Sequence, residues 1–145
     1  MKEIILSIFV PCFNEENYIT NTLNNIKEGI QTTSYEILIV DDASTDNTIE
    51  KIEKFKKNNP NIDIKIFCNE KNRGIGYNLW ATAYKALGKY YFILMGDGGT
   101  PINEIKKIVN NIGKADMILS YFVDERPFFR RTLSKIFVII INLIT

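Results

Sequence analysis

Asp41 and Asp42 are adjacent and follow the apolar run Ile37-Leu38-Ile39-Val40. Two neighbouring carboxylates at the end of a buried segment are costly unless something uses them. A carboxylate accepts hydrogen bonds, for example from the N–H of a base or from ribose hydroxyls. Asp97 stands between Gly96 and Gly98-Gly99, again after an apolar run. A lone Asp in such a turn can hold a divalent cation, which would neutralise a diphosphate leaving group. Arg73 precedes Gly74-Ile75-Gly76, where glycines opening a helix let backbone N–H groups approach an anion and Arg73 adds a fixed positive charge. A fourth loop holds Pro11, which fixes the chain as it leaves a strand, and Phe13, which offers a flat face to a base. In the same loop Asn14 and Glu15 can bond a base or ribose edge.

Each of these loops also has a purely structural use. Asn14 can cap a helix, with Glu15 and Glu16 favouring its N-terminus. Ser44, Thr45 and Asp46 can cap the next one. Gly74-Ile75-Gly76 lacks the third glycine of a dinucleotide fingerprint and is not a Walker loop. The segment 96–101 also reads as a tight turn ahead of a helix. For the Asp41-Asp42 pair the functional reading is the stronger one.

Composition narrows the chemistry. The 145 residues contain no histidine, which removes the Ser-His-Asp triad and every His-containing zinc site. The formal net charge of +1 supplies no basic field for nucleic acid. Cys12 and Cys68 are far apart and in no metal spacing, so they read as two reduced thiols at strand ends in a cytoplasmic protein. The apolar run 4–10 is too short, and its flank is wrong, for a secretory signal.

The elements that must position these loops follow from periodicity. Short β-branched runs predict strands over 3–10, 35–40, 62–67, 90–95 and 116–120. Between them Ile19, Leu23, Ile26 and Ile30 recur at helical spacing. Ile49, Ile52 and Phe55 do so after Asn47 as cap, with Glu50 three residues on. Leu79, Ala83 and Leu87 predict a third helix, ended by Gly88. Ile102, Ile105, Val109 and Ile112 predict a fourth, and a last helical segment runs from Phe128 onward. This alternation predicts an α/β fold, a doubly wound and mostly parallel sheet with helices on both faces. Ligands in such sheets bind beyond the carboxyl ends of the strands, where all four loops lie.

Taken together, Val10-Pro11-Cys12-Phe13-Asn14-Glu15, then residues 36–48 through Asp41-Asp42-Ala43-Ser44-Thr45-Asp46-Asn47-Thr48, then Asn72-Arg73-Gly74 through Ala86-Leu87-Gly88-Lys89-Tyr90 and the Asp97 turn, resemble the family 2 glycosyltransferases. These have the GT-A fold, whose nucleotide-binding half is Rossmann-like, and the likeness covers roughly residues 3 to 105. The resemblance implies transfer of a sugar from a nucleoside diphosphate donor to a lipid-phosphate or saccharide acceptor, with Mg or Mn. It implies that Pro11, Phe13, Glu15, Asp41, Asp42, Arg73 and Asp97 bind the nucleotide sugar, with Asp97 as the metal ligand.

Two departures stand out. The family's Asp-x-Asp motif aligns with Asp97-Gly98-Gly99, so its second carboxylate is absent. The later part of the family's domain, which supplies the acceptor pocket and the general base, has no counterpart, and no catalytic residue is assigned. Residues 1–125 form the expected nucleotide-sugar-binding domain. Residues 126–145, from Arg126-Pro127-Phe128-Phe129-Arg130-Arg131 into an apolar run, resemble a segment of polyprenyl-phosphate sugar transferases. Such a helix suits a membrane interface on the cytoplasmic side, or a partner subunit; the run is far shorter than the ~20 residues of a spanning helix. A chain apolar up to its terminus reads as interrupted. The rival reading is a shortened or degenerate relative that binds nucleotide or a partner without turnover. A dinucleotide-dependent oxidoreductase is disfavoured because the first strand–helix turn has no glycine fingerprint.

Overall fold

The computed structural model describes residues 3–118 together with Thr132 and Leu133. Four strands and four helices alternate: β1 (Leu6–Cys12), α1 (Ile19–Gly29), β2 (Tyr35–Asp41), α2 (Thr48–Asn58), β3 (Asp63–Cys68), α3 (Ile75–Ala83), β4 (Tyr90–Ile93) and α4 (Ile102–Val109). The sheet order is β3-β2-β1-β4 and every pairing is parallel. The chain winds outward from β1 through β2 to β3, then crosses back to place β4 on the other side of β1. Right-handed crossovers therefore put α1 and α2 on one face and α3 on the opposite face. Strand order reverses at β1, so the loops after β1 and β4 flank the switch point where ligands bind.

The period of two along a strand divides the interior into two unlike halves. Ile8, Val10, Ile37 and Ile39 point to the α1 face and join Ile19, Leu23, Ile26, Ile52 and Ile105 in one fully apolar core. Helix α4 packs on this face too. Gly29 allows that approach, since a Cβ there would lie 2.8 Å from Ile105 Cγ2. The other face alternates out of register and carries Ser7, Phe9, Glu36 and Leu38, all fully buried. Phe9 stacks on Tyr91 at a centroid distance of 6.2 Å. Glu36 accepts from Ser7 Oγ, Lys65 Nζ and the Leu87 N–H, each at 2.6 Å, which pins the turn between α3 and β4.

Several sequence expectations are corrected. β1 begins at Leu6 rather than Glu3 and continues two residues further, because the Asp42 N–H donates to Cys12 O at 2.9 Å. Asn47 makes no side-chain cap for α2; Asp46 Oδ1 accepts the Thr48 N–H instead. Helix α3 ends at Ala83, and its two buried residues are Asn78 and Thr82, whereas Leu87 is exposed. Leu79 and Ala83 are half-buried beside that polar pair. No strand forms over Asp116–Ile118, and the remainder of that expected strand lies outside the described residues. So does the C-terminal helix, except for Thr132 and Leu133, which are helical.

Candidate functional site

A cleft of about 180 Å3 opens beyond the carboxyl ends of β1, β2 and β4, on the α3 side of the sheet. The loop after β1 contributes Pro11, Cys12, Phe13 and Glu15; Asp42 follows β2, Met95 follows β4, and Asn72, Gly74, Ile75 and Asn78 come from the β3–α3 segment. Phe13 leaves about half its surface in water, so a flat face is available there.

The two adjacent acids part company. Asp41 is the last residue of β2 and shares the α1 face with Cys12; its Oδ2 accepts the Ser44 N–H at 3.1 Å and its buried Oδ1 has no partner. Asp42 lies one residue further and turns to the cleft. Its Oδ1 accepts from Asn69 Nδ2 at 2.7 Å and from the Arg73 N–H at 2.9 Å, and its Oδ2 accepts the Gly74 N–H at 2.8 Å. Burial pushes the Asp42 carboxyl up, but the hydrogen bonds from the Arg73 N–H, Asn69 Nδ2 and the Gly74 N–H, with the Asn78 amide nearby but outside hydrogen-bond geometry, outweigh it and hold it below the ordinary carboxylate range. A carboxylate has about four lone-pair sites, and three are used, so one remains on Oδ2 for a ligand donor.

The loops after β1 and β2 are laced together. The Asn14 N–H donates to Ser44 Oγ at 2.9 Å, and the Thr45 N–H returns to Asn14 Oδ1 at 2.8 Å. The Glu15 N–H donates to Thr48 Oγ1 and the Glu16 N–H to Asp46 Oδ2. Asn14 therefore bonds across to the second loop instead of capping α1, as its left-handed φ of 57° also requires; Ala43 shares that region with φ 68°. Of the three expected caps only Asp46 serves α2; Ser44 and Thr45 hold the first loop.

Asp97 is exposed, and its Oδ1 accepts the Gly99 N–H at 2.8 Å. Burial, followed by the nearby charges of Asp97 and Asp46, raises the Glu15 carboxyl, so Glu15 and Asp97 share one acidic rim. Arg73 does not line the cleft with its side chain: the guanidinium lies over the Tyr77 ring, 4.7 Å from its centroid. Among the described residues no three His, Cys, Asp or Glu side chains gather as a metal-holding group. One Asp97 carboxylate with a free oxygen still fits a hard cation that keeps waters and takes phosphate oxygens.

Two cleft residues escaped the sequence reading. Asn78 is buried; its Oδ1 accepts from Asn69 Nδ2 at 2.8 Å, while its Nδ2 has no hydrogen-bond partner. The available signal was a polar pair, Asn78 and Thr82, at i and i+4 in a helix otherwise rich in apolar residues. Met95 faces the cleft where a carboxylate would serve a cation, and nothing in its type announced that.

A parallel sheet whose switch point carries an aromatic face, a hydrogen-bonding carboxylate and an acidic rim defines a nucleotide-binding α/β domain. The sequence profile of glycosyl transferase family 2 matches residues 7–141, and the chain belongs to that family. The dolichyl-phosphate beta-glucosyltransferase of Saccharomyces cerevisiae is 34% identical over 79% of this chain and 36% of its own length. Mannosyltransferase PcManGT from Pyrobaculum calidifontis, in complex with GDP-Man and Mn2+, superposes with a TM-score of 0.59 at 27% identity, over 63% of this chain and 27% of that one. TarS of S. aureus, residues 1–349 in complex with UDP-GlcNAc, gives 0.67 at 26% identity, over 86% and 36%. The chain spans between a third and a half of the length of the first curated relatives it matches. Among the described residues no helix is long and apolar enough to cross a membrane.

Proposed function

We propose that the cleft binds the nucleoside diphosphate of a sugar nucleotide, and that this chain is the donor-binding part of a glycosyltransferase acting on a lipid-phosphate or saccharide acceptor. The observation that carries this reading is Asp42: a charged, rigidly held acceptor with one lone pair left, beside Phe13 and the unpartnered Asn78 Nδ2. An acceptor and a donor fixed side by side suit the edge of a base, and the ring of Phe13 suits its face. Membership of the family and the sugar nucleotides in the two related structures support the same assignment.

Glu15 and Pro11 wall the cleft on the β1 side, and Asp42 takes the main nucleoside contact. Asp41 acts from behind, holding the Ser44 N–H and thereby the loop that clasps Asn14. Arg73 stands at the cleft edge, where a small swing off Tyr77 brings its charge toward the phosphates. Asp97 would hold the divalent cation, Mg or Mn, which when bound neutralises negative charge on the leaving diphosphate. A lipid-phosphate acceptor is already anionic and needs no strong base, which suits a chain in which none is assigned.

Binding without turnover is the second reading, favoured by Met95 in the cleft and by Gly99, whose N–H caps Asp97 without adding a carboxylate. Calorimetric titration with UDP and then GDP, with and without Mn2+, tests the donor site. Saturable binding of one nucleotide is expected, strengthened by Mn2+. A folded sample that binds neither refutes the reading.

A further inference from the structure

We propose that the outward face of α3 docks this protein on an anionic lipid surface. The helix is inverted relative to an ordinary amphipathic helix, which buries its apolar side. Its buried residues are Asn78 and Thr82, held by polar partners: Asn78 by Asn69, and Thr82 Oγ1 by Tyr91 OH at 2.8 Å. Outward stand Tyr77, Trp80 and Tyr84 at i, i+3 and i+7, one continuous face, extended by Leu87 just past the helix end. Trp80 is 66% exposed and Tyr84 86%. Trp and Tyr with an apolar body and a polar tip are the side chains favoured at a membrane–water boundary.

Charge selects the occupant. Between Asn69 and Gly96 the chain carries Lys71, Arg73, Lys85 and Lys89 against one acid, Glu70, although the whole chain is only +1. Arg73 lies over the Tyr77 ring of that face and Lys85 follows Tyr84 directly, so cations fringe the aromatic stripe. A second copy of this chain meeting face to face about a two-fold axis would bring like charges together. Anionic headgroups would instead neutralise them. The face adjoins the cleft through Ile75 and Asn78 of the same helix, so docking would set the cleft mouth at headgroup level. Neither sugar transfer nor the C-terminal segment is required for this docking.

Trp80 is the sole tryptophan of the chain and reports the event directly. The full chain is titrated, without nucleotide, with vesicles of equimolar phosphatidylglycerol and phosphatidylcholine while Trp emission is recorded. The expected result is a blue shift, quenching by lipids brominated on the acyl chain, and loss of both with pure phosphatidylcholine or at high salt. Replacing Tyr84 and Leu87 by Ser should weaken partitioning about tenfold, from the apolar area withdrawn. Lys71→Glu with Lys85→Glu should remove the preference for the anionic lipid. Three results would overturn the proposal. One is sedimentation with vesicles while Trp80 emission stays unchanged, which places the contact elsewhere on the chain. Another is emission already blue-shifted without lipid and dependent on protein concentration, which assigns the face to a second copy. The third is no binding to either vesicle.

Discussion

Asp41→Asn and Asp42→Asn differ by one position and should differ sharply in outcome. At position 42 the carboxylate accepts from Asn69, from the Arg73 N–H and from the Gly74 N–H. An Asn can keep its oxygen toward the first two, but its NH2 then meets the Gly74 N–H donor to donor. One charge-assisted bond is lost and a donor is left unpaired, costing about 2–3 kcal/mol of stability. The lone pair offered to the ligand disappears with it, and a hydrogen bond to a charged group is worth about 1.5–3 kcal/mol, or roughly 10- to 100-fold in Kd. At position 41 the arithmetic reverses. The Asn oxygen can still receive the Ser44 N–H, and the NH2 replaces an oxygen that has no partner. Stability should change by less than about 0.5 kcal/mol and nucleotide affinity by less than about threefold. Urea unfolding and calorimetry with UDP and GDP on both variants read the two quantities separately. Nucleotide binding lost in Asp41→Asn and kept in Asp42→Asn would refute the assignment of faces on which the site is built.

Glu36→Ala should destabilise the fold by about 2–3 kcal/mol in urea unfolding, since it strands the Leu87 N–H and the buried Ser7 hydroxyl, while Lys65 stays partly in water beside Asp63. Burial raises the Glu36 carboxyl, but Lys65, Ser7 and the Leu87 N–H outweigh burial and lower it. Its stabilisation is therefore full above the unfolded carboxyl's pKa and lost as pH falls through the folded one, so the acid-side loss of stability should be larger in wild type than in the variant, which keeps the contributions of Asp42 and Asp46. Met95→Asp should strengthen Mn2+-dependent nucleotide binding more than Gly99→Asp does, because Met95 faces the cleft and Gly99 does not; equal effects in calorimetry would contradict that geometry. In native protein a slow thiol reagent should modify Cys68 alone, with Cys12 reacting only after unfolding. Cys12 is buried and its thiol is raised by that burial and by Asp41, Glu15 and Asp46.

The strands and the helices α1, α2 and α4 were legible because each obeys a single period over a buried face. Ile19, Leu23 and Ile26 are all buried, as their spacing demanded. Helix α3 broke the rule. The Leu79, Ala83 and Leu87 spacing is a real apolar period, but Asn78 and Thr82 are the residues α3 buries, bonded to Asn69 and Tyr91, which leaves Leu79 and Ala83 half-buried and Leu87 past the helix end. Sequence periodicity identifies a stripe and leaves open what the stripe faces. The acids show a similar limit. The pair Asp41-Asp42 pointed to the candidate cleft, but only the end of β2 decides which carboxylate turns to it, and a one-residue shift of that end would exchange their places.

That exchange explains how the domain separates stability from chemistry. Alternation along β1 and β2 sends Ile8, Val10, Ile37, Ile39 and Asp41 to the face covered by α1, α2 and α4, where the core is apolar and continuous. It sends Ser7, Glu36 and Lys65 to the α3 face, and Asp42 and Asn78 meet at the upper end of that face. Truncating a residue of the first set, such as Ile37, leaves a cavity in a dry core and costs roughly 2–5 kcal/mol without touching the cleft. Asp42 instead holds the Arg73 and Gly74 N–H groups, so its loss shifts the cleft, while Glu36 and Ser7 pin the turn before β4 and their loss costs stability. A parallel sheet buried on both faces usually demands apolar strands throughout. Here one face departs from that demand, and the departure places charged and amide groups within reach of the switch point.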